Sequence, residues 1–154
     1  MIQISQAVSQ KQLGIVGELF VEYARSINVS LCFENLDKEV TELPGAYAPP
    51  YGRLLLAAGG KQIAGCVALK KVDDHICEMK RLYVRSEFRG QGLGKKLAMS
   101  IENEARQIGY QQLRLDTLPS MTEAILLYRS LGFEEIPAYR ELPVPGALFM
   151  RVTL

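Results

Sequence analysis

Apolar residues recur at two spacings along this chain, and the spacings predict its elements. In IVGELFVEYARSI, Val16, Leu19, Phe20, Tyr23, Ala24 and Ile27 fall on one stripe, the pattern of an amphipathic helix. FENLDKEVTELPG reads as a second, shorter helix stopped by Pro44 and Gly45, and AYAPPYG as a loop. Three apolar runs follow, RLLLAA, QIAGCVALKKV and HICEMKRLYV, divided by GGK and by DD near residue 73. Two turn signals between three such runs predict an antiparallel meander. Helical spacing returns at Leu93, Leu97, Ile101, Ala105 and Ile108, and Gly109 ends that helix. QQLRLDTL reads as a strand. SMTEAILLYRSLGF reads as a helix with a capping box from Ser120 to Glu123 and a stop at Gly132. ALFMRVTL closes the chain as a strand, and MIQISQA alternates weakly, as an edge strand does. The strand–helix–strand unit over 84–118 implies parallel pairing beside the antiparallel meander. The expected class is therefore α/β, one mixed sheet with helices on both faces, in a single domain covering residues 1–154.

Composition narrows the function. A chain of 154 residues buries roughly 70% of its unfolded surface, enough for a core without disulfides or metal. The formal net charge is +1, too small for a global grip on nucleic acid. Cys32, Cys66 and Cys77 have no metal-ligand spacing, and His75 is the lone histidine, so no metal site is expected. Three reduced thiols, with an N-terminus lacking a charged start and a long apolar run, point to a cytoplasmic protein without a signal peptide. No window approaches ~20 apolar residues, so no membrane span is expected.

Candidate chemistry concentrates in VRSEFRGQGLGKKL. Gly90, Gly92 and Gly94 alternate immediately before a helix, and Lys80, Arg81, Arg85, Arg89, Lys95 and Lys96 outnumber the one acid, Glu87. Glycines allow a ligand close to the main chain, and a helix start offers free N–H donors and partial positive charge. The combination suits a phosphate. A plain turn feeding a solvated basic helix face explains the same residues. A P-loop needs four residues between its glycines, then Lys and Ser or Thr; here three residues separate Gly90 from Gly94, and Lys96 follows Lys95. A dinucleotide fingerprint needs G-x-G-x-x-G, and the spacing here is G-x-G-x-G.

Arg89-Gly90-Gln91-Gly92-Leu93-Gly94 resembles the R/Q-x-x-G-x-G/A pyrophosphate motif of the GNAT N-acetyltransferase family. CEMKRLYV resembles that family's fourth strand. AILLYRSLGF, with its Tyr-x-x-x-Gly-Phe run, resembles its late helix. The matched region spans residues 76–133. The resemblance implies a mostly antiparallel sheet splayed between its fourth and fifth strands, and acetyl-coenzyme A (acetyl-CoA) as acyl donor in that cleft. It implies that the backbone of Leu82, Tyr83 and Val84 pairs with the pantetheine arm. The loop Arg89, Gly90, Gln91, Gly92, Leu93, Gly94 and Lys95 would then wrap the pyrophosphate. Many members carry asparagine where Met121 stands, so Ser120 or backbone must serve the pantetheine there.

The implied reaction is attack of an amine on a thioester. Glu78 falls where part of the family carries a general base. Strand alternation would put Glu78, Lys80, Leu82 and Val84 on one face, and an apolar setting would raise the pKa of Glu78. The other reading pairs Glu78 with Lys80 or Arg114 on a solvated face. Tyr128 falls on the family's tyrosine, the acid for the departing thiolate, but it also belongs to a core stripe with Ala124, Leu127 and Leu131. The Leu82 N–H is the oxyanion donor if a bulge frees it.

Residues 28–51, with Glu34, Glu39, Glu42, Tyr47 and Tyr51, are expected to shape the acceptor pocket, and AYRELPVPG to add a second wall. The acids there either attract a cationic amine or form the polar face of a surface helix. The expected partner is a small-molecule or protein amine, with no nucleic acid and no membrane, and a homodimer is open. The alternative is a non-catalytic acyl-CoA sensor of the same fold.

Overall fold

The three apolar runs form the middle of the sheet, and their near-continuous burial shows that both faces are covered. The computed structural model describes residues 1–27, 36–142 and 144–154. Strands β1 (Gln3–Gln6), β2 (Arg53–Gly59), β3 (Gln62–Lys71), β4 (Ile76–Val84), β5 (Gln112–Thr117), β6 (Glu134–Ile136) and β7 (Leu148–Thr153) make one sheet in the order β1-β2-β3-β4-β5-β7-β6. Every neighbouring pair is antiparallel except β4 and β5. Helix α1 (Gln10–Ile27) and the short α2 (Leu36–Thr41) cover one face. Helix α3 (Leu93–Ile108) and α4 (Thr122–Ser130) cover the other. On β2, Leu54 and Leu56 enter the α1 core, while Leu55 and Ala57 enter the α3 core. A strand buried on both sides needs apolar residues at successive positions, which is why RLLLAA lacks alternation.

Several boundaries differ from the sequence reading. Helix α1 starts at Gln10, before the apolar stripe. The Gln12 N–H donates to Ser9 Oγ at 3.1 Å, and the Ser9 N–H donates to Gln12 Oε1 at 3.1 Å, a reciprocal capping box. The expected box at Ser120 and Glu123 is not made: α4 is capped at Met121 with no side-chain hydrogen bond. Helix α2 spans only Leu36–Thr41, and the start of the predicted helix, with Cys32 and Glu34, lies outside the described residues. The three-residue β6, too short to show periodicity, pairs with β7 at the sheet edge.

Strand β4 sets the geometry that matters for function. Ala68 pairs with Lys80 and Cys66 with Tyr83, so Arg81 and Leu82 together face Val67. This is a bulge, and Arg81 occupies the left-handed region at φ 61°. The extra residue reverses the alternation. Cys77 and Met79 lie in the α3 core, and beyond the bulge Leu82 and Val84 pack on that same core, while Tyr83 turns to the α1 side. Glu78 and Lys80 therefore do not share a face with Leu82 and Val84, as strict period two predicts. Parallel pairing of β4 with β5 also ends early, covering only Ile76–Gln112, Cys77–Leu113 and Glu78–Arg114. Beyond Glu78 the strands part, while β5 keeps its full pairing with β7 on its other edge.

Two residues from the bulge along β3, Gly65 pairs with Val84 and is buried, and a Cβ there would overlap the Tyr83 carbonyl oxygen. Gly65→Ala is expected to lower stability by about 1–3 kcal/mol, the scale of overpacking a close contact. The urea midpoint measures this; an unchanged midpoint would mean that β4 yields without cost.

Candidate active site

The wedge between β4 and β5 is closed at one end by the glycine loop. After β4 a 3-10 turn, Ser86–Phe88, leads to Gly90 at φ 79° and Gly92 at φ 78°. Both are left-handed, and nothing lies within 4 Å of an ideal Cβ at either position. Packing does not demand glycine there; backbone angle and access from outside do. Helix α3 starts at once, and its first hydrogen bond runs from the Lys96 N–H to the Gly92 carbonyl at 3.1 Å. The N–H groups of Leu93, Gly94 and Lys95 thus precede the helical ladder and point out of its start.

A cleft of about 570 Å³ runs along this end. Leu82, Tyr83 and Val84 form its strand wall, and Arg89, Gly90, Gly92, Leu93, Gly94 and Lys95 its loop wall. Gln91 is not among its lining residues. Ser120, Met121, Thr122 and Leu127 face them from the start of α4, and Tyr23 from α1. Met121 stands where the asparagine was expected; its sulfur accepts hydrogen bonds from the Tyr23 hydroxyl at 3.9 Å and the Thr117 hydroxyl at 3.8 Å.

The six basic residues of the loop region do not form one patch. Arg85 donates to Glu22 at 2.6 Å and 3.0 Å, and Arg81 to Glu39 at 2.6 Å. Lys80 lies 3.6 Å from Glu78 and 3.8 Å from Asp116. Only Arg89 and Lys95 of the six line the cleft. The Arg89 Nε–H donates to the Val84 carbonyl at 2.9 Å, and its guanidinium lies 5.9 Å from the Tyr83 ring.

A second chamber, of about 220 Å³, shares Tyr23 and Leu82 with the cleft as lining residues. Tyr128 lines it. The phenol is 6% exposed, and its ring lies 5.8 Å from Phe133. Burial, with smaller effects from Tyr23 and Asp116, raises its pKa, so the phenol keeps its proton. Tyr128 is thus both a core residue and a chamber wall; the two readings of its stripe are compatible.

Glu78 is placed differently from expectation. It is 1% exposed and does not line the chamber. The Tyr139 hydroxyl donates to its Oε2 at 2.9 Å, and Arg140 Nη2 donates to the same oxygen at 2.7 Å. Lys80 and Lys70 lie 3.6 Å and 3.7 Å from Oε1. Burial alone would raise its pKa, but Lys80, Arg140 and the Tyr139 hydrogen bond outweigh it and hold the carboxyl below its ordinary value. The expected upward shift is reversed, and the expected solvated face is a buried ion cluster. Arg114 is not its ion partner; its guanidinium lies 4.8 Å from the Tyr139 ring.

Sequence reasoning missed Asp116 and Tyr23, and it named the segment that holds Arg140 without singling that residue out. Arg140 and Leu142, both within AYRELPVPG, line the chamber. Asp116 shares a face of β5 with Arg114 and carried no signal that it would face a cavity. In the expected acceptor region, Glu39 and Glu42 line a hollow of about 490 Å³, but Glu39 is bound by Arg81 and by the Tyr47 hydroxyl. Tyr51 is exposed and lies beneath Lys71. Among the described residues, no cluster of three potential metal ligands occurs and no helix is long and apolar enough to cross a membrane. Cys66 and Cys77 are buried free thiols.

Comparison with known proteins agrees with this geometry. Residues 18–133 match the model of the acetyltransferase (GNAT) family. The chain is 36% identical to an uncharacterized N-acetyltransferase of Schizosaccharomyces pombe, covering 99% of this chain and 95% of the relative. Its fold is similar to an acetyltransferase from Streptococcus agalactiae, with TM-score 0.82 and 19% identity over 99% of this chain and 98% of that one. It is also similar to a GNAT family acetyltransferase from Elizabethkingia anophelis solved with acetyl-CoA bound, with TM-score 0.73 and 23% identity over 99% and 98% of the two chains. The splayed sheet, the glycine loop at a helix start and the family match over most of the chain lead to one conclusion: this chain belongs to the GNAT family and is an N-acetyltransferase.

Proposed function

We propose that the chain transfers an acetyl group from acetyl-CoA to a primary amine by direct attack, with both substrates bound together. The observation that supports this is that the two cavities share walls: Leu82 and Tyr23 line both the cleft with the helix start and the chamber with Tyr128. A thioester lying along the cleft brings an acyl carbon activated toward nucleophiles.

The fit to acetyl-CoA rests on three features. The N–H groups of Leu93, Gly94 and Lys95 face an anion at a helix start, and Gly90 and Gly92 leave room for it. Arg89 and Lys95 add positive charge at the rim. The β4 edge over Leu82, Tyr83 and Val84 is free of β5, so its backbone can pair with an extended amide-bearing arm.

Leu82 lies within the bulge, and its N–H is the proposed donor to the carbonyl oxygen as it takes on negative charge. Tyr128 is the proposed acid for the departing sulfur; its raised pKa suits donation to a thiolate and not uptake of a proton. Glu78 does not support the base role foreseen for it. A carboxylate sealed from the chamber and held ionised by cations is a poor proton acceptor, and its proposed role is to position Lys80 and Arg140. The non-catalytic sensor reading has no feature in its favour here, since it leaves the chamber beside Tyr128 without a purpose.

Gly92→Val should reduce coenzyme A affinity at least tenfold in calorimetry, because a branched side chain is strained at φ 78° and projects into the cleft. The backbone strain costs about 1–3 kcal/mol, so the protein should stay folded. Normal affinity would put the phosphate site elsewhere.

Tyr128→Phe keeps the ring packing and removes one hydroxyl. The expected result is a fall in kcat of ~10²-fold or more, with coenzyme A affinity and Tm nearly unchanged. An activity loss no larger than the loss of folded protein would leave Tyr128 a core residue only.

Glu78→Gln removes the counter-charge of a buried cluster, at a cost of roughly 3 kcal/mol at neutral pH. The folded pKa of Glu78 lies below the unfolded one, so its stabilising contribution is complete above about pH 4.3 and disappears as pH falls through the folded value. The Tm gap between wild type and variant should therefore be widest near neutrality and narrow as pH falls below about 4.3. The loss of kcat should be the same from pH 7 to high pH. A loss that recovers at high pH, where the acceptor sheds its proton unaided, would restore Glu78 as the base.

A further inference from the structure

The chamber beside Tyr128 carries a charge pattern that acetyl transfer by itself does not require. Its described lining includes three cations, Lys80, Arg81 and Arg140, and one acid, Asp116. Arg81 is matched by Glu39. Lys80 and Arg140 share Glu78 and Asp116, and Lys70 also reaches Glu78. Three cations thus meet two carboxylates. Arg114 stands beside them across the Tyr139 ring. The Nε atoms of Arg114 and Arg140 and the Oε1 atom of Glu78 are buried, with no hydrogen-bond partner among the described residues. Among the described residues the cluster holds more cations than carboxylates, and its unpaired donors outnumber its one unpaired acceptor.

The neighbouring hollow, which shares Lys80 and Arg81, has the same sign. Lys38, Lys70, Lys80 and Arg81 line it, against Glu39 and Glu42. Uncompensated charge in a half-buried cavity is costly, and a ligand that brings the counter-charge removes the cost. The sign opposes the cationic acceptor that the acids of residues 28–51 suggest from sequence. Size adds a second limit. About 220 Å³ is below the roughly 300–1,000 Å³ usual for drug-sized ligands.

We propose that the acceptor is a small amine bearing a carboxylate, an amino acid or a close relative. Arg140 and Lys80 bind the carboxylate, and the amine lies between Asp116 and Tyr128. The inference rests on the acetyl-transfer reading and narrows its acceptor. In the reaction the unprotonated amine nitrogen bonds to the acetyl carbonyl carbon and the carbon–sulfur bond breaks. One proton leaves the nitrogen and one reaches the sulfur, so the products are an N-acetyl amino acid and free coenzyme A thiol. If the amine arrives as an ammonium, one further proton passes to solvent. Arginine suits this site because its planar donors match a carboxylate.

The test uses matched pairs: alanine against alaninamide, valine against valinamide, with spermidine as the cationic control. Thiol release from acetyl-CoA gives kcat/KM for each. On proton grounds the amides have the advantage, since their amines are less basic and more of each is unprotonated near neutral pH. The expected result is at least a tenfold preference for each free acid over its amide. Arg140→Gln should erase that preference chiefly by raising KM, and Arg140→Lys should retain part of it. Amides or spermidine used as well as the acids, or better, would overturn the proposal while leaving acetyl transfer intact.

Calorimetry of the same pairs on the coenzyme A-loaded protein reads the site without turnover. Carboxylate-dependent binding with no thiol release from any amine would support the anion site and overturn the transfer reading. No turnover and no binding would overturn both. The matched pairs need only the wild-type protein, so the test stands even if the Arg140 variants fail to fold.

Discussion

Arg81 holds a left-handed backbone angle, φ 61°, in the middle of a strand, and the site is built around that departure. A non-glycine residue stays there only when its surroundings insist. The guanidinium of Arg81 is anchored 2.6 Å from Glu39 of α2 and lies 5.8 Å from the Phe20 ring of α1. Two helices on one face thereby hold the bulge in place. Its consequences are local and large. It breaks the register with β3 at Leu82 and turns Leu82 and Val84 toward the α3 side, where they line the cleft. It also leaves Glu78 and Lys80 facing away from that side. One inserted residue therefore separates the strand edge that lines the cleft from the charges beside the Tyr128 chamber.

The second organising force is the pairing of charges distant in sequence. Glu22 takes Arg85, Glu39 takes Arg81, and Glu78 takes Lys80 and Arg140. Each acid removes one cation from what reads, along the chain, as a continuous basic tract. The positive charge left at the glycine loop is modest, and the anion site proposed there would depend chiefly on main-chain N–H groups at the start of α3. Such a site costs little to preorganise, because the donors are held by the helix they begin.

Glu78 joins β4 to the late loop through Tyr139 and Arg140, and Arg140 continues to Asp116 on β5. This network spans the gap where β4 and β5 cease to pair. It replaces lost backbone hydrogen bonds with charge-assisted ones and fixes the width of the chamber. The same residues that close the sheet's gap also give the chamber its sign.

Much of this protein follows from its sequence alone. The long amphipathic stripes of α1 and α3, the meander of β2 to β4 and the parallel unit from β4 to β5 follow from local periodicity, because each spacing has one way to bury its apolar face. The glycine loop was legible too, since Gly90 and Gly92 are needed for their backbone angles whatever surrounds them. The short β6, the capping of α1 by Ser9 and Gln12, and the absence of a cap at Ser120 were not, because a few polar residues carry no period. Only the tertiary structure decided the bulge at Arg81, the burial of Glu78 and the facing of Asp116 and Arg140 into one chamber. Each depends on partners drawn from other elements, as Arg81 does on Glu39 and Glu78 on Arg140. A carboxylate's pKa and a cavity's charge are sums over neighbours that strand periodicity does not name.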